Sequence, residues 1–134
     1  MASRVFFNLP VKDLNKSKAF FEGLGFSFNP QFTDENAACM VISDTIFAML
    51  LTEEYFKTFT NKPICDAKKQ TEVLIALDAA SKAEVENMIA KAKELGATIY
   101  REPQDMGWMY HHAFADLDGH QWEFAYMDES QLPS

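Results

Sequence analysis

A glutamate near the end of the chain stands in a run that alternates polar and aromatic side chains. Residues 121–127 predict a β-strand, in which Gln121 and Glu123 share one face while Trp122 and Phe124 share the other. The aromatic face suits packing against a helix, so we expect Glu123 to project from the opposite face. A carboxylate placed there could bind a divalent metal together with water, or act as a general base if burial raises its pKa. A hydrogen bond to the backbone is the simpler alternative.

Two adjacent histidines, His111 and His112, lie in a second apolar run that predicts a strand over residues 108–115. Neighbouring residues of a strand point to opposite sides, so only one of these two imidazoles can share a face with Glu123. That histidine could be a metal ligand, a hydrogen-bonding group in a pocket, or simply exposed.

Aromatic side chains open the same run, directly after a loop that contains proline and glycine. Trp108 and Tyr110 could stack on a ligand if that loop acts as a lid. Alternatively, these rings fill the open end of their own half of the fold.

Composition bounds the class of protein. The chain has 134 residues, 48% of them hydrophobic, which suits one folded domain. Its net charge of −8 disfavours nucleic acid and anionic membranes as partners and leans toward a cationic ligand. Two cysteines do not make a disulfide framework, and neither a membrane-spanning run nor a signal peptide is recognisable. We therefore expect a cytoplasmic protein.

The order of predicted elements repeats. Each half reads as strand, helix and three strands, and each helix ends at a glycine, Gly25 or Gly96. We predict a single domain over 1–134, with module one at about 4–52, a linker at about 53–70 and module two at about 71–127. The predicted strands are Val5–Val11, Phe26–Phe32, Ala37–Ile42 and Ile46–Leu51, then Glu72–Asp78, Ala97–Arg101, Trp108–Ala115 and Gln121–Met127.

Two separated motifs resemble the vicinal oxygen chelate superfamily, which includes glyoxalase I, extradiol dioxygenases, fosfomycin-resistance enzymes and bleomycin-binding proteins. The first is the run from Asn8 to Asp13 with Leu24-Gly25-Phe26, and the second runs from Phe114 to Glu123. The resemblance implies an α+β fold in which two tandem βαβββ modules form a curved mixed-sheet cup with helices on its outer face. It also implies a homodimer.

In the resembling family, one divalent metal is usually held in the cup by four ligands, one from the first and one from the last strand of each half. These positions correspond here to Phe6, Met49, Glu72 and Glu123. Phe6 cannot bind a metal, and the thioether of Met49 is too soft for the ions that such a site prefers. Only two carboxylates remain, so the expected cofactor is either none or a weakly bound Zn, Ni, Mn or Fe ion.

Two functions of different classes stay open at this point. In both, a small molecule occupies the cup, and the residues expected to contact it are Phe6, Met49, Trp108, Tyr110, His111 and His112. In the first, the protein is a lyase or isomerase related to glyoxalase I, with Glu123 and Glu72 as its catalytic residues. In the second, it is a metal-free protein that binds or sequesters a small molecule, and its acidic cup holds a cationic or aromatic ligand. Independently of that choice, one of the two glutamates could be solvated at the rim while the other hydrogen-bonds to the backbone.

Overall fold

The computed structural model describes residues 1–132, and the chain divides into two compact units. The first covers Met1–Cys65 and the second begins at Asp66. Each unit contains one four-stranded mixed sheet and has the element order βαβββ, so the predicted fold class is confirmed. The grouping of both units into one domain stays a prediction.

The first unit builds its sheet from four strands in the spatial order β1-β4-β3-β2. Strand β1 runs parallel to β4, and the other neighbours are antiparallel. The elements are β1 (Val5–Val11), α1 (Leu14–Gly23), β2 (Ser27–Asn29), β3 (Ala37–Val41) and β4 (Ile46–Thr52).

Helix α1 begins where the side chain of Asp13 accepts a hydrogen bond from the backbone N–H of Lys16, at 3.1 Å. It ends before Gly25, whose φ of +104° is a conformation that other residues adopt only with strain. The helix buries Phe20 and Phe21. One face of the first sheet is fully buried on the same side, through Ala38, Met40, Ala48 and Leu50.

A short helix, α2 (Glu53–Phe56), and a 3₁₀ turn, Lys57–Phe59, follow β4. They lie in the segment predicted as a linker at about 53–70.

The second unit repeats the same topology, with strands in the spatial order β5-β8-β7-β6. Strand β5 is parallel to β8, and the remaining pairs are antiparallel. The elements are β5 (Leu74–Asp78), α3 (Lys82–Glu94), β6 (Gln104–Asp105), β7 (Met109–Ala115) and β8 (Gln121–Met127).

A capping box sets the start of α3. The hydroxyl of Ser81 accepts from the N–H of Glu84 at 3.1 Å, and the Glu84 carboxylate accepts from the N–H of Ala80 at 2.8 Å. The helix packs on β7 and β8, and the aromatic side chains Phe114, Trp122 and Phe124 are buried.

Three predicted strands are wrong in extent. The strand expected at 26–32 ends at Asn29, because the Asn29 side chain accepts from the Gln31 N–H at 2.9 Å and Pro30 begins a 3₁₀ turn. The strand expected at 97–101 is reduced to one bridge, between Thr98 and Ala115. The strand expected at 72–78 begins at Leu74.

In the part of the chain that the structure describes, every helix is too short or too polar to cross a membrane.

Candidate functional site

The face of the second sheet that carries Glu123 is the candidate site. Glu123 lies opposite Ala76 on β5 and opposite Ala113 on β7, while His111 lies opposite Ala125 on β8. Paired residues of adjacent strands share a face, so these side chains project together. We call this surface the polar face; its strand residues are Leu74, Ala76, Asp78, Gln104, Met109, His111, Ala113, Ala115, Gln121, Glu123, Ala125 and Met127.

A guanidinium group contacts two ionisable side chains of the polar face, His111 and Glu123. The Nη2 atom of Arg101 is 3.0 Å from Nδ1 of His111 and 3.5 Å from Oε1 of Glu123. The side chains of Arg101 and Glu123 are only 24% and 20% exposed, so solvent screens this ion pair incompletely. The negative charge of Glu123 is therefore offset within the site itself.

The contact with Arg101 determines which nitrogen of His111 carries the proton. A guanidinium can only donate hydrogen bonds, so Nδ1 of His111 must accept and Nε2 must hold the proton. Burial lowers the pKa of His111, the positive charge of Arg101 lowers it further, and Glu123 acts in the opposite direction. At neutral pH, the polar face therefore offers a neutral imidazole N–H donor beside a carboxylate.

Two substitutions are expected to move the pKa of His111 in opposite directions. Arg101→Gln removes a positive neighbour and raises this pKa, whereas Glu123→Gln removes a negative neighbour and lowers it. The imidazole resonances of His111, followed by NMR across pH 4–9, measure both changes. If both variants shifted the pKa of His111 in the same direction, Arg101 and Glu123 could not both lie beside its ring as described.

The lowered pKa of His111 also has a consequence for stability. The unfolded chain takes up the proton at a higher pH than the folded chain does. The free energy of unfolding therefore decreases as the pH falls below the ordinary histidine value of 6.5.

The other predicted contacts on β7 lie on the opposite face of the sheet. Tyr110 receives the ammonium group of Lys82, from the first turn of α3, at 4.8 Å from its ring centre. His112 bonds through Nε2 to the carbonyl oxygen of Arg101 at 2.8 Å. Tyr110 and His112 therefore belong to the helix-covered face and are separated from His111, as the alternation along a strand requires.

A buried carboxylate organises the turn between β7 and β8. Oδ1 of Asp116 accepts from the N–H groups of Asp118 and His120 at 2.9 and 3.0 Å, and Oδ2 accepts from Nε1 of Trp122 at 3.0 Å. Burial raises the pKa of Asp116, and the neighbouring His120 and the indole of Trp122 partly counteract this shift. These bonds fix the start of β8 and with it the position of Glu123.

The predicted contacts of the first unit lie on the face of its sheet opposite α1. Phe6 is 45% exposed, and its ring stacks on that of Phe47 with centroids 4.9 Å apart. Met49 is half-buried and lies opposite Asn8 and Cys39 on the adjacent strands. Beside Phe6, Phe47 and Met49 this surface is apolar, and the nearby Asn8 offers one neutral amide oxygen, which alone does not make a site for a hard metal ion.

Two predicted site residues lie outside the strands. Glu72 is exposed and precedes β5, so it lies outside the strand predicted at 72–78; its role as a metal ligand or catalytic residue stays a prediction. Trp108 is half-buried and precedes β7, where its carbonyl oxygen accepts from the N–H of Asp128 at 2.7 Å. Its predicted role at a ligand stays untested.

Comparisons with known proteins bear on this arrangement. Residues 4–43 match the family model described as bleomycin resistance protein-like N-terminal. The structure of hypothetical protein SA1046 from S. aureus is 31% identical over 94% of this chain and 95% of that chain, with a TM-score of 0.80. A glyoxalase/bleomycin resistance protein/dioxygenase family enzyme from Burkholderia phytofirmans PsJN, 15% identical, covers 91% of this chain and 96% of its own with a TM-score of 0.76.

The chain belongs to the vicinal oxygen chelate superfamily. A further member with this fold is the fosfomycin resistance protein FosX from Listeria monocytogenes, 21% identical over 98% of this chain and 99% of that chain, with a TM-score of 0.69. No curated protein matches the sequence. The resemblance predicted from the two motifs is thus confirmed.

The residues present do not fit the divalent metal that the superfamily implies. Within residues 1–132, no three His, Cys, Asp or Glu side chains lie close enough together to hold a metal ion. Of the four positions implied by the resemblance, Phe6 and Met49 lack suitable donor atoms and Glu72 is outside its strand. The remaining carboxylate, Glu123, already contacts the guanidinium of Arg101.

Sequence reasoning missed Arg101 and Asp116. Arg101 lies 22 residues before Glu123, and no local pattern places the two together. Asp116 had a usable signal, because an aspartate two residues before an Asp-Gly turn commonly caps that turn with its side chain.

Proposed function

We propose that this protein binds a small organic molecule on the polar face of its second sheet, without a resident metal ion. The observation that carries the proposal is the guanidinium of Arg101, which lies between His111 and Glu123. A divalent cation that used these two donors would have to displace Arg101 or approach a positive charge at close range.

Short side chains surround Glu123. Ala76 and Ala113 flank it on both neighbouring strands, and Ala125 lies opposite His111. Ala113 is fully buried, so the exposed Ala76 and the half-buried Ala125 supply the apolar surface against which a flat group can pack. The imidazole N–H of His111 and the carboxylate of Glu123 border that surface as donor and acceptor.

These features favour a ligand whose polar part is neutral and both donates and accepts hydrogen bonds, such as an amide or a hydroxylated ring. The net charge of the chain, −8, attracts cations to the protein as a whole. It does not favour a cationic ligand at Glu123, because Arg101 balances this carboxylate locally. The alternative, a lyase or isomerase, has less support, since the carboxylate oxygen that would serve it already contacts Arg101.

We also propose that the protein works as a cytoplasmic homodimer. Strands β1 and β2 are the edges of the first sheet, and β5 and β6 are those of the second. Open edges favour association with another chain.

Metal content and fragment binding together test the proposed function. After incubation with Zn, Ni, Mn and Fe salts and desalting, tag-free protein is expected to hold each metal far below one equivalent. Neutral amide and phenol fragments, screened by NMR, are expected to shift the amide signals of Ala113, Glu123 and Ala125. Glu123→Gln should weaken the best fragment by about tenfold, which corresponds to one lost charged hydrogen bond.

The matched control is Glu94→Gln, which removes the same charge from an exposed position of α3. It should leave fragment binding unchanged. A near-stoichiometric metal that disappears in Glu123→Gln would overturn the proposal in favour of a metal-dependent enzyme.

A further inference from the structure

A second concavity lies at the end of the polar face where β7 ends and β8 begins. Its volume is about 420 Å³, within the range of small-molecule sites. Three segments line it: residues 67–71, the stretch from Gly96 to Tyr100, and the β7–β8 turn with Gln121. Ala115 and Gln121, at the end of the polar face, line it, but none of Arg101, His111 and Glu123 does, so the groups proposed above to bind a ligand lie outside this cavity.

The charge of this cavity is opposite to that of the chain. Lys68 and Lys69 both line it, and within residues 1–132 no ion pair engages either ammonium group. The single carboxylate among the lining residues is Asp116. Oδ1 of Asp116 accepts from the N–H groups of Asp118 and His120 in the β7–β8 turn, and Oδ2 accepts from the indole N–H of Trp122 on β8, so this carboxylate is already engaged away from the lysines. The cavity is therefore cationic in a chain of net charge −8.

The backbone that carries the two lysines is held in place. The carbonyl oxygen of Asp66 accepts from the backbone N–H groups of Lys69 and Gln70 at 3.0 and 2.9 Å. The Asp66 side chain accepts from the backbone N–H of Lys68 at 3.1 Å. On the other side, Gly119 approaches this loop so closely that a Cβ on residue 119 would lie 2.7 Å from the backbone nitrogen of Lys68. The backbone of residues 66–70 is therefore fixed by these contacts, and it carries both lysines.

Further hydrogen-bond donors are available beside the lysines. The hydroxyl of Thr71 donates to Oε1 of Gln121 at 2.6 Å, which leaves the amide N–H groups of Gln121 for another partner. Tyr100, 38% exposed, and Thr98 add hydroxyl groups to the lining. Ala115 and Leu117 supply apolar surface for the rest of a ligand.

We propose that this cavity binds the anionic head group, a phosphate or a carboxylate, of a small organic molecule. Ammonium groups recognise such oxyanions as point charges, and amide and hydroxyl donors complete their hydrogen bonds.

NMR titration with inorganic phosphate and, separately, with citrate tests the site at constant ionic strength maintained with sodium chloride. Phosphate is expected to shift the amide signals of Lys68–Thr71, Gly119 and Gln121. In the double variant Lys68→Gln/Lys69→Gln, affinity should fall at least about tenfold. Lys91→Gln, an exposed position of α3 outside the cavity, should leave affinity unchanged.

The two anions separate the possible head groups. Binding of phosphate alone supports a phosphate ester as ligand, and binding of both supports the wider class that includes carboxylates. Equal affinity in wild type and the lysine double variant would overturn the proposal, and so would equal loss in Lys91→Gln.

Two further variants test geometry and independence. Gly119→Ala changes no charge but forces residues 67–68 away, so it should also weaken phosphate binding. Arg101→Gln should leave phosphate binding intact, which distinguishes a failure of this proposal from a failure of the proposed function.

Discussion

Asp116→Ala is expected to lower the free energy of unfolding by about 3 to 5 kcal/mol. The carboxylate is 6% exposed and accepts from two backbone N–H groups and the indole N–H of Trp122. Alanine would leave these donors without an acceptor where water has little access. For a chain of this length, the melting temperature should fall by about 10 °C or more. Thermal and urea denaturation, followed by circular dichroism, measure the loss.

Two controls identify the cause of that loss. Asp44→Ala removes an exposed aspartate from the corresponding hairpin of the first unit and should change stability by less than about 0.5 kcal/mol. Asp116→Asn keeps one acceptor oxygen but turns an NH₂ group toward the indole N–H, so it should be destabilising by an intermediate amount. A loss in Asp116→Ala no larger than that in Asp44→Ala would show that the network contributes little.

Removing the guanidinium of Arg101 is expected to create affinity for Ni²⁺ or Zn²⁺. One atom, Nη2 of Arg101, contacts both Nδ1 of His111 and Oε1 of Glu123, so a metal ion at that place could reach both donors. Arg101→Ala frees these donors and removes the repelling charge. Its affinity for Ni²⁺ should exceed that of wild type by at least about 100-fold, or about 2.7 kcal/mol. Calorimetry on tag-free protein measures the difference.

Arg101→Lys is the matched control, because it keeps the positive charge while changing the side chain. It should gain no metal affinity, and Arg101→Ala/Glu123→Gln should lose most of what the single variant gains. If wild type binds Ni²⁺ as tightly as Arg101→Ala, the guanidinium does not exclude metal from the polar face. In the single variant, Ni²⁺ should broaden the ring signals of His111 before those of His112.

The parts of the fold that sequence predicts well are those governed by local patterns. The alternation from Gln121 to Met127 predicts β8 with its bounds and places Glu123 opposite the aromatic face. Gly25 and Gly96 mark both helix ends because each adopts a positive φ. The repeat of these signals suffices to predict two βαβββ units.

The parts that failed depend on contacts between distant residues. Residues 97–101 have strand-forming side chains, but only Thr98 finds a partner, and Arg101 instead reaches across β7 to Glu123. Strand propensity describes how a segment can pair and does not reveal whether a neighbour is available. Sequence therefore places Glu123 on the correct face of β8 but does not reveal Arg101, the cation that balances its charge.

The two units share one topology and differ in proton chemistry. On the first sheet, the face with Phe6, Phe47 and Met49 has Cys39 as its one titratable strand residue, and burial raises the pKa of that thiol. The corresponding face of the second sheet carries His111 and Glu123. Two sheets of the same topology therefore differ: the face of the first is mainly apolar, and that of the second carries ionisable side chains. Of the strand side chains on these two faces, the one whose ordinary pKa of 6.5 lies between pH 5 and 8 is His111, so the second sheet is where a pH dependence of ligand affinity in this range is expected first.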